Sequence, residues 1–369
     1  MTAHGMPAPP TRRLRRFLLG ARRLRWRLAR VGHKLLGRKR TTYLDERVNE
    51  YRAYWEEAAK NLRASFEPLC ADVWEIRRGT QRTRIANYRV QIDDPVTLQL
   101  AGNKPYCCET ARRHGIPIAR HRAFRLDDSD AAWSFMASRG GAFVVKPANR
   151  SAGLGVTMHV RNRRELENAA ALASLYSDEL MIETMVPAES CRLLYLDGEL
   201  IHAVRRRGVR IVGDGHSSVR ELLAGQGFLR PASDKAILCT LEAQALSLES
   251  RLPAGKEVVA RYLPAGERVT GELRTVYNEC ITALVCGDLA RSLVSLAEAV
   301  GSRFAGVDLL TNDPSVPLSK SGGIFLELNT TPAMHHHYVG RDGPAVAVRI
   351  LGYLLEVNRD EQRRNRLLA

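Results

Sequence analysis

Phe143-Val144-Val145-Lys146-Pro147, continuing as Ala148-Asn149-Arg150-Ser151-Ala152-Gly153-Leu154-Gly155-Val156, is the stretch on which the reading of this chain turns. Its pattern predicts a buried strand over 142–146 that delivers a lysine, then a loop of small residues and glycine. A second strand is expected over 156–160. Glycines let backbone N–H groups approach phosphate oxygens without a side-chain clash. An ammonium supplies a point charge for the same oxygens. Neither GxxxxGK(S/T) nor GxGxxG occurs anywhere in the chain, so the loop is neither a Walker A loop nor a dinucleotide fingerprint. Taken alone, a Lys-Pro followed by glycines is more often a hairpin than a phosphate cradle, and the argument needs two further segments.

The first runs from Leu180 to Tyr195. Glu183 and Glu189 stand six residues apart at the end of an apolar strand, and a new strand begins near Arg192. A solvated strand connection would explain this segment by itself. The second pairs Ala305-Gly306-Val307-Asp308-Leu309-Leu310 with Gly322-Gly323-Ile324-Phe325-Leu326-Glu327-Leu328-Asn329-Thr330-Thr331-Pro332. Strand periodicity puts Glu327 and Asn329 on one face and the leucines on the other. Asp308 interrupts a strand that is otherwise apolar, a costly position unless the carboxylate is paired or coordinated. Oxygen ligands of this type suit magnesium, which shares phosphate oxygens readily. A solvent-facing edge strand accounts for Glu327 and Asn329 but not for Asp308.

In this order, the segments resemble the ATP-grasp ligases, and in particular the ATP-grasp portion of cyanophycin synthetases. The stretches Ala203-Val204-Arg205-Arg206, Val212-Gly213-Asp214-Gly215 and Val219-Arg220-Glu221-Leu222 add to the resemblance, which covers about residues 90–340. It implies an α+β chain with the ATP-grasp fold, two α+β subdomains gripping ATP. It also implies a short N-terminal α/β domain at residues 41–125, a small subdomain at 126–190, a large one at 191–345 and a terminal helix and tail at 346–369. Lys104 and Lys146 are then the nucleotide lysines. Ser151, Ala152, Gly153 and Gly155 form the loop over the phosphates. Glu183 to Val186 is the adenine hinge and Glu189 the ribose carboxylate. Asp308, Glu327 and Asn329 are the ligands of magnesium or manganese. Arg192, Arg205 and Arg206 are the cations that neutralise the reacting oxyanions. The implied reaction joins a small carboxylate to an amine through an acyl phosphate, forming ADP. The alternatives are an ATP-binding scaffold without turnover and an ATP-grasp enzyme with a non-amide product. The resemblance stops before the Mur-ligase-like domain of cyanophycin synthetases, so no second ligation is expected. It is loose over 230–280, where the substrate loop lies in relatives. His335-His336-His337, after the Asn-x-x-Pro turn, reads as a polar loop, a substrate contact or a metal site.

Composition bounds the remaining classes. The 369 residues carry a net charge of +16. Residues 1–40 contain thirteen Lys and Arg and no acid, which leaves the body at about +3. The basic character therefore belongs to an arm, which argues against nucleic acid as the body's partner. Within the arm, Leu14, Phe17, Ala21, Leu24, Leu28, Val31 and Leu35 predict an amphipathic helix over 12–40. It reads as a dispensable arm, as an anchor for an anionic membrane or an acidic partner, or as a nucleic-acid contact, and an Arg-rich, acid-free segment is also the signature of an organelle presequence. A further amphipathic helix is expected over 43–67, a hairpin around Gly79 and a final helix over 343–357. Seven cysteines without a CxxC pair fit reduced thiols rather than a disulfide framework. No apolar run approaches the roughly 20 residues of a membrane span. A cytoplasmic protein, peripheral at a membrane if the arm binds one, is the expectation. Substrate identity and a homodimer are left open.

Overall fold

The computed structural model describes residues 20, 21, 23–25, 28, 48–149, 154–262, 278–332, 334–338 and 343–367. Two compact units divide the chain: Met1–Arg40 with Arg120–Met185, and Thr41–Ala119 with Val186–Ala369.

The second unit begins with helix α1 (Val48–Asn61). Tyr51, Trp55, Ala58 and Ala59 share one face and are buried, as a helical repeat of apolar residues requires. Arg63 takes a left-handed backbone, φ 53°, and turns the chain into strand β1 (Ser65–Cys70). The helix expected to reach residue 67 therefore stops at Asn61. Phe66, expected on its face, reaches the same core from a strand. The hairpin around Gly79 is present as β2 (Val73–Arg78) and β3 (Gln81–Ala86), with β4 (Arg89–Val90) beyond. Trp74, Ile76 and Ile85 point inward against α1 and the long helix α9 (Gly343–Leu367), ten residues longer than expected. The opposite face carries Glu75 beneath Arg77 and Arg84. Burial alone would raise the Glu75 carboxyl, but hydrogen bonds from the two guanidinium groups outweigh it and hold it below its ordinary value.

Helices α2 (Pro95–Ala101) and α3 (Lys104–Arg113) follow, capped by the Asp94 and Asn103 side chains. The first unit then holds four antiparallel strands. These are β5 (His121–Phe124), β6 (Phe143–Pro147), β7 (Thr157–Val160) and β8 (Leu180–Thr184), in the order β5-β8-β6-β7. Helices α4 (Ser129–Ala137) and α5 (Arg163–Ala173) bury Phe135, Leu166, Ala169 and Ala170 against Phe143, Val145, Leu180 and Ile182. The described residues among 20–28 are helical, with Leu24 and Leu28 exposed. The rest of the basic helix expected over 12–40 lies outside the described residues. Arg23 donates to the Ser174 carbonyl at 3.0 Å, just past the end of α5.

Back in the second unit, β9 (Ser190–Leu196), β10 (Glu199–Arg206), β13 (Asn278–Cys280), β14 (Phe304–Leu310) and β15 (Ile324–Thr330) form an antiparallel sheet ordered β13-β10-β9-β14-β15. Between β10 and β13, the pair β11 (Val209–Val212) and β12 (Glu257–Arg261) builds a separate small core with α6 (Val219–Gly225) and α7 (Lys235–Glu242). Helix α8 (Gly287–Val300) buries Leu289, Leu293 and Leu296, and its Ala290 carbonyl accepts from the Tyr195 hydroxyl. Leu194, Leu196 and Phe304 point instead into the core shared with α1 and α9.

Candidate active site

In the first unit, alternation along β6 and β8 sends Phe143, Val145, Leu180 and Ile182 into the apolar core. Lys146 and Glu183 therefore emerge on the other face. They meet diagonally across the strand pair, with the Lys146 Nζ 2.7 Å from the Glu183 carboxylate. Both are 7 % exposed. A buried ion pair of this kind is held by geometry, and removing either partner strands a charge. Gly155 follows in the loop at φ +73°. A Cβ there would stand 2.7 Å from the Tyr176 ring and 3.1 Å from Pro147. Only glycine fits both the backbone and the space. Ser151, Ala152 and Gly153 lie outside the described residues.

In the second unit, the five-stranded sheet gathers a separate set of polar residues by register. Cys280, Val204, Arg192, Asp308 and Glu327 are directly opposite one another on successive strands. Side chains in such a row share one face. Asp308 is 1 % exposed. Arg192 grips it with two hydrogen bonds of 2.6 Å, Nε to Oδ1 and Nη2 to Oδ2, the bidentate fork natural to a guanidinium. Lys104, at the first turn of α3, reaches Glu327 at 2.9 Å. Asn329 donates from Nδ2 to Asp308 at 3.1 Å and to Glu327 at 3.4 Å. Asn329 stands opposite Gly306, where a Cβ would lie 2.8 Å from Pro332. Burial pushes the Asp308 carboxyl upward, Arg192 pulls it down and Glu327 adds to the rise.

Arg205, Arg206, Glu189 and Val186 complete the expected set. Arg205 pairs with Cys191 in the register and so points to the opposite face from Arg192. There it binds Glu279 at 2.9 Å and approaches Glu189 at 3.6 Å. Arg206 shares the face of Arg192. Glu189, 1 % exposed, accepts from Gly208 N–H at 3.0 Å and from Arg210 at 2.6 Å. Its carboxylate thus ties β9 to β11. Val186 is half-buried in the connection to β9, and its carbonyl accepts from Ala188 N–H at 3.1 Å.

Two carboxylates and an amide oxygen are a donor set suited to magnesium shared with phosphate. Arg192 and Lys104 balance the two carboxylates, so a divalent cation would have to displace them. Among the described residues, no group of three or more His, Cys, Asp and Glu is arranged to hold a metal. Two carboxylates and one amide leave coordination positions open for phosphate oxygens, so these residues fit an ion shared with a phosphate ligand.

His202, Cys280 and His337 are the residues the sequence reading missed or left open. His202 Nδ1 lies 3.1 Å from His337 Nδ1, and His202 Nε2 lies 3.5 Å from the Cys280 sulfur. His335 bonds the Tyr51 hydroxyl at 2.7 Å. No spacing in the sequence links positions 202, 280 and 337; strand register and one tight turn bring them together.

The fold is thus mixed α/β, with a buried Lys–Glu pair in one unit and an Asp–Glu–Asn row, each carboxylate capped by a cation, in the other. No family model matches the chain. It is similar to the glutathione biosynthesis bifunctional protein GshAB of Streptococcus mutans, 25% identical over 286 residues, 72% of this chain and 36% of that protein. It is also similar to the cyanophycin synthetase of Trichormus variabilis, 25% identical over 262 residues, 67% of this chain and 28% of that protein. Cyanophycin synthetases are therefore among its relatives, as the motifs indicate. The chain spans about a third of the length of these relatives. Among solved structures it has partial likenesses to a bifunctional glutathione synthetase from Pasteurella multocida (20% identity, TM-score 0.46, covering 80% of this chain and 44% of that one). A D-alanine–D-alanine ligase from Bacillus anthracis gives 16% identity and a TM-score of 0.43, covering 72% and 71%.

Proposed function

We propose that the chain is an ATP-grasp, ATP- and magnesium-dependent carboxylate–amine ligase that forms ADP. The observation that carries this reading is the cross-strand row Arg192–Asp308–Glu327 with Asn329 and Lys104. It gathers oxygen ligands for a metal–phosphate complex and cations for phosphates on one sheet face. The sequence likeness to cyanophycin synthetase and to a glutathione biosynthesis protein supports a peptide-forming reaction.

In this reading Lys146 binds nucleotide phosphate and Glu183 orients it. Residues 151–155 lie over the phosphates, and the strand end from Glu183 to Val186 reads adenine. Glu189 faces the ribose only if Arg210 yields one of its oxygens. Asp308, Glu327 and Asn329 would hold magnesium, or manganese in its place, and the ion would supply positive charge to the phosphate oxygens beside Lys104 and Arg192. Those cations, with Arg206, then neutralise the phosphoryl oxygens as the carboxylate substrate attacks the terminal phosphorus. An amine displaces phosphate from the acyl phosphate, and its proton leaves to solvent. Arg205, on the far face, is assigned to holding β10 to Glu279 and Glu189. The basic arm is read as a contact for an anionic surface.

The test is ADP release with Mg-ATP against pools of amino acids and short peptides, with masses of the products. A product equal to two pool members less water, with equal ADP, supports the ligase. Its loss in Glu327→Gln and Lys146→Ala supports the assigned site. One observation favours a non-catalytic nucleotide-binding scaffold: both carboxylates are already neutralised by protein cations. That reading requires ATP to raise the melting temperature with no ADP formed from any pool.

A further inference from the structure

Three members of the apolar stripe of the basic arm fall within the described residues, and all three face solvent. Ala21 is exposed, Leu24 is 55% exposed and Leu28 is 62% exposed. A helix packed on a folded body ordinarily turns its apolar stripe inward. Here a cation takes the inward position. Among the described arm residues Arg23 alone is not fully exposed, with 33% of its side chain accessible. Its Nη2 donates to the Ser174 carbonyl at 3.0 Å and lies 3.9 Å from the Asp178 carboxylate.

The end of α5 explains this seat. Ser174 closes that helix, and the last carbonyls of a helix have no partner within it and carry the negative end of its dipole. A guanidinium answers both. At 3.6 residues per turn, Arg23 lies about 160° round the arm helix from Ala21 and about 140° from Leu28. Seating Arg23 on the turn from Ser174 to Asp178 therefore fixes the stripe outward. Arg25 is exposed and stands only about 60° from Leu28, at the border of the stripe. A cavity of about 470 Å³ opens beside the Arg23 contact, lined by Arg23, Asn149 and the same turn. The arm thus rests beside the chain that leaves β6, three residues after Lys146.

We propose that the outward face of the arm helix, Ala21, Leu24 and Leu28 bordered by Arg25, seats in the headgroup layer of an anionic bilayer while Arg23 keeps the arm strapped to the turn after α5. The two arginines have opposite duties: Arg25 serves lipid phosphates and Arg23 serves the protein. Charge selects the occupant. Residues 1–40 carry thirteen Lys and Arg and no acid, which complements an anionic surface and repels the arm of a second copy. Because the stripe is already outward, the bilayer engages the arm without undocking it, and the turn and Asn149 are held at the membrane. The inference rests on the reading of the arm as a contact for an anionic surface, to which it adds a direction, and is independent of the ligase reading.

The experiment measures co-sedimentation of the full chain with vesicles of equal parts phosphatidylserine and phosphatidylcholine, for the native chain and for Arg25→Gln and Arg23→Gln. Arg25→Gln should weaken partitioning about fivefold, the effect of one basic residue at an anionic surface, and Arg23→Gln by less than about twofold. Leu24→Asp with Leu28→Asp should abolish it. Arg23→Gln should instead speed amide hydrogen exchange over 174–178, with and without vesicles, and Arg25→Gln should leave that exchange unchanged. Equal melting temperatures show that the variants are folded. Equal losses of partitioning in the two arginine variants overturn the proposal and leave the anionic contact standing, as does full sedimentation of the leucine double variant. A native chain that does not sediment overturns both. A native dimer that the leucine double variant dissociates, with no sedimentation, assigns the face to a second copy and also overturns the proposal.

Discussion

At the scale of single residues, the buried Lys146–Glu183 pair and the Arg192–Asp308 fork set the energetics of the candidate site. Lys146→Ala leaves Glu183 buried without its cation and should lower stability by about 3–5 kcal/mol, read from a urea unfolding midpoint. The double substitution Lys146→Met with Glu183→Leu should recover most of that loss, because two apolar groups of similar shape need no partner. It should not recover ADP release. Recovery of turnover by the double variant would remove Lys146 from the nucleotide site. Gly155→Ala forces a Cβ to 2.7 Å from the Tyr176 ring at φ +73°. It should cost about 1–3 kcal/mol, seen in the melting temperature, and should weaken ATP binding more than amine binding.

At the scale of elements, α1 and α9 hold the N-terminal sheet through one apolar layer, in which Trp55 is fully buried. Its indole N–H donates to the Asn87 carbonyl at 2.8 Å. Trp55→Ala should cost about 3–5 kcal/mol, with hydrogen exchange accelerating first in β2 and β3. Helix α6 opens with a reciprocal capping box, Ser218 to Glu221. Ser218→Ala should cost about 1 kcal/mol. The element boundaries show how far pattern reading reaches. The apolar repeat of Tyr51, Trp55 and Ala59 gave the helix, and alternation gave the hairpin around Gly79. The end of α1 was not legible. Leu62 and Phe66 continue the helical stripe, and the left-handed turn at Arg63 with pairing to β2 places Phe66 in a strand instead.

At the scale of the whole molecule, pH and the basic arm give the readable behaviour. The folded His337 pKa lies well below 6.5, principally through burial. Below about pH 6.5 the unfolded chain takes up a proton that the folded ring refuses. Stability is therefore full above that pH and falls as pH drops beneath it. Urea midpoints at pH 7.5 and 5.5 should show this loss, and His337→Asn should reduce it. Deletion of residues 1–40 should abolish salt-sensitive co-sedimentation with anionic vesicles while ADP release persists. Equal sedimentation by the truncated chain would end the anchor reading.

Residue type and order alone determined the alternation of strands and helices, the Lys-Pro and glycine segment, and the acid in an apolar strand. Each of these is a local departure from a periodic pattern, and local departures are visible in one dimension. The sequence also carried the likeness to cyanophycin synthetases. Tertiary structure decided which of those groups meet. Arg192 lies on Asp308 because β9 and β14 pair at that register; Arg205, thirteen residues on, falls on the other face because strand side chains alternate. Glu189 is turned to Arg210 by the packing of β11. His202, Cys280 and His337 converge across 135 residues because cross-strand hydrogen bonds, which no local pattern encodes, set the neighbours of an edge strand.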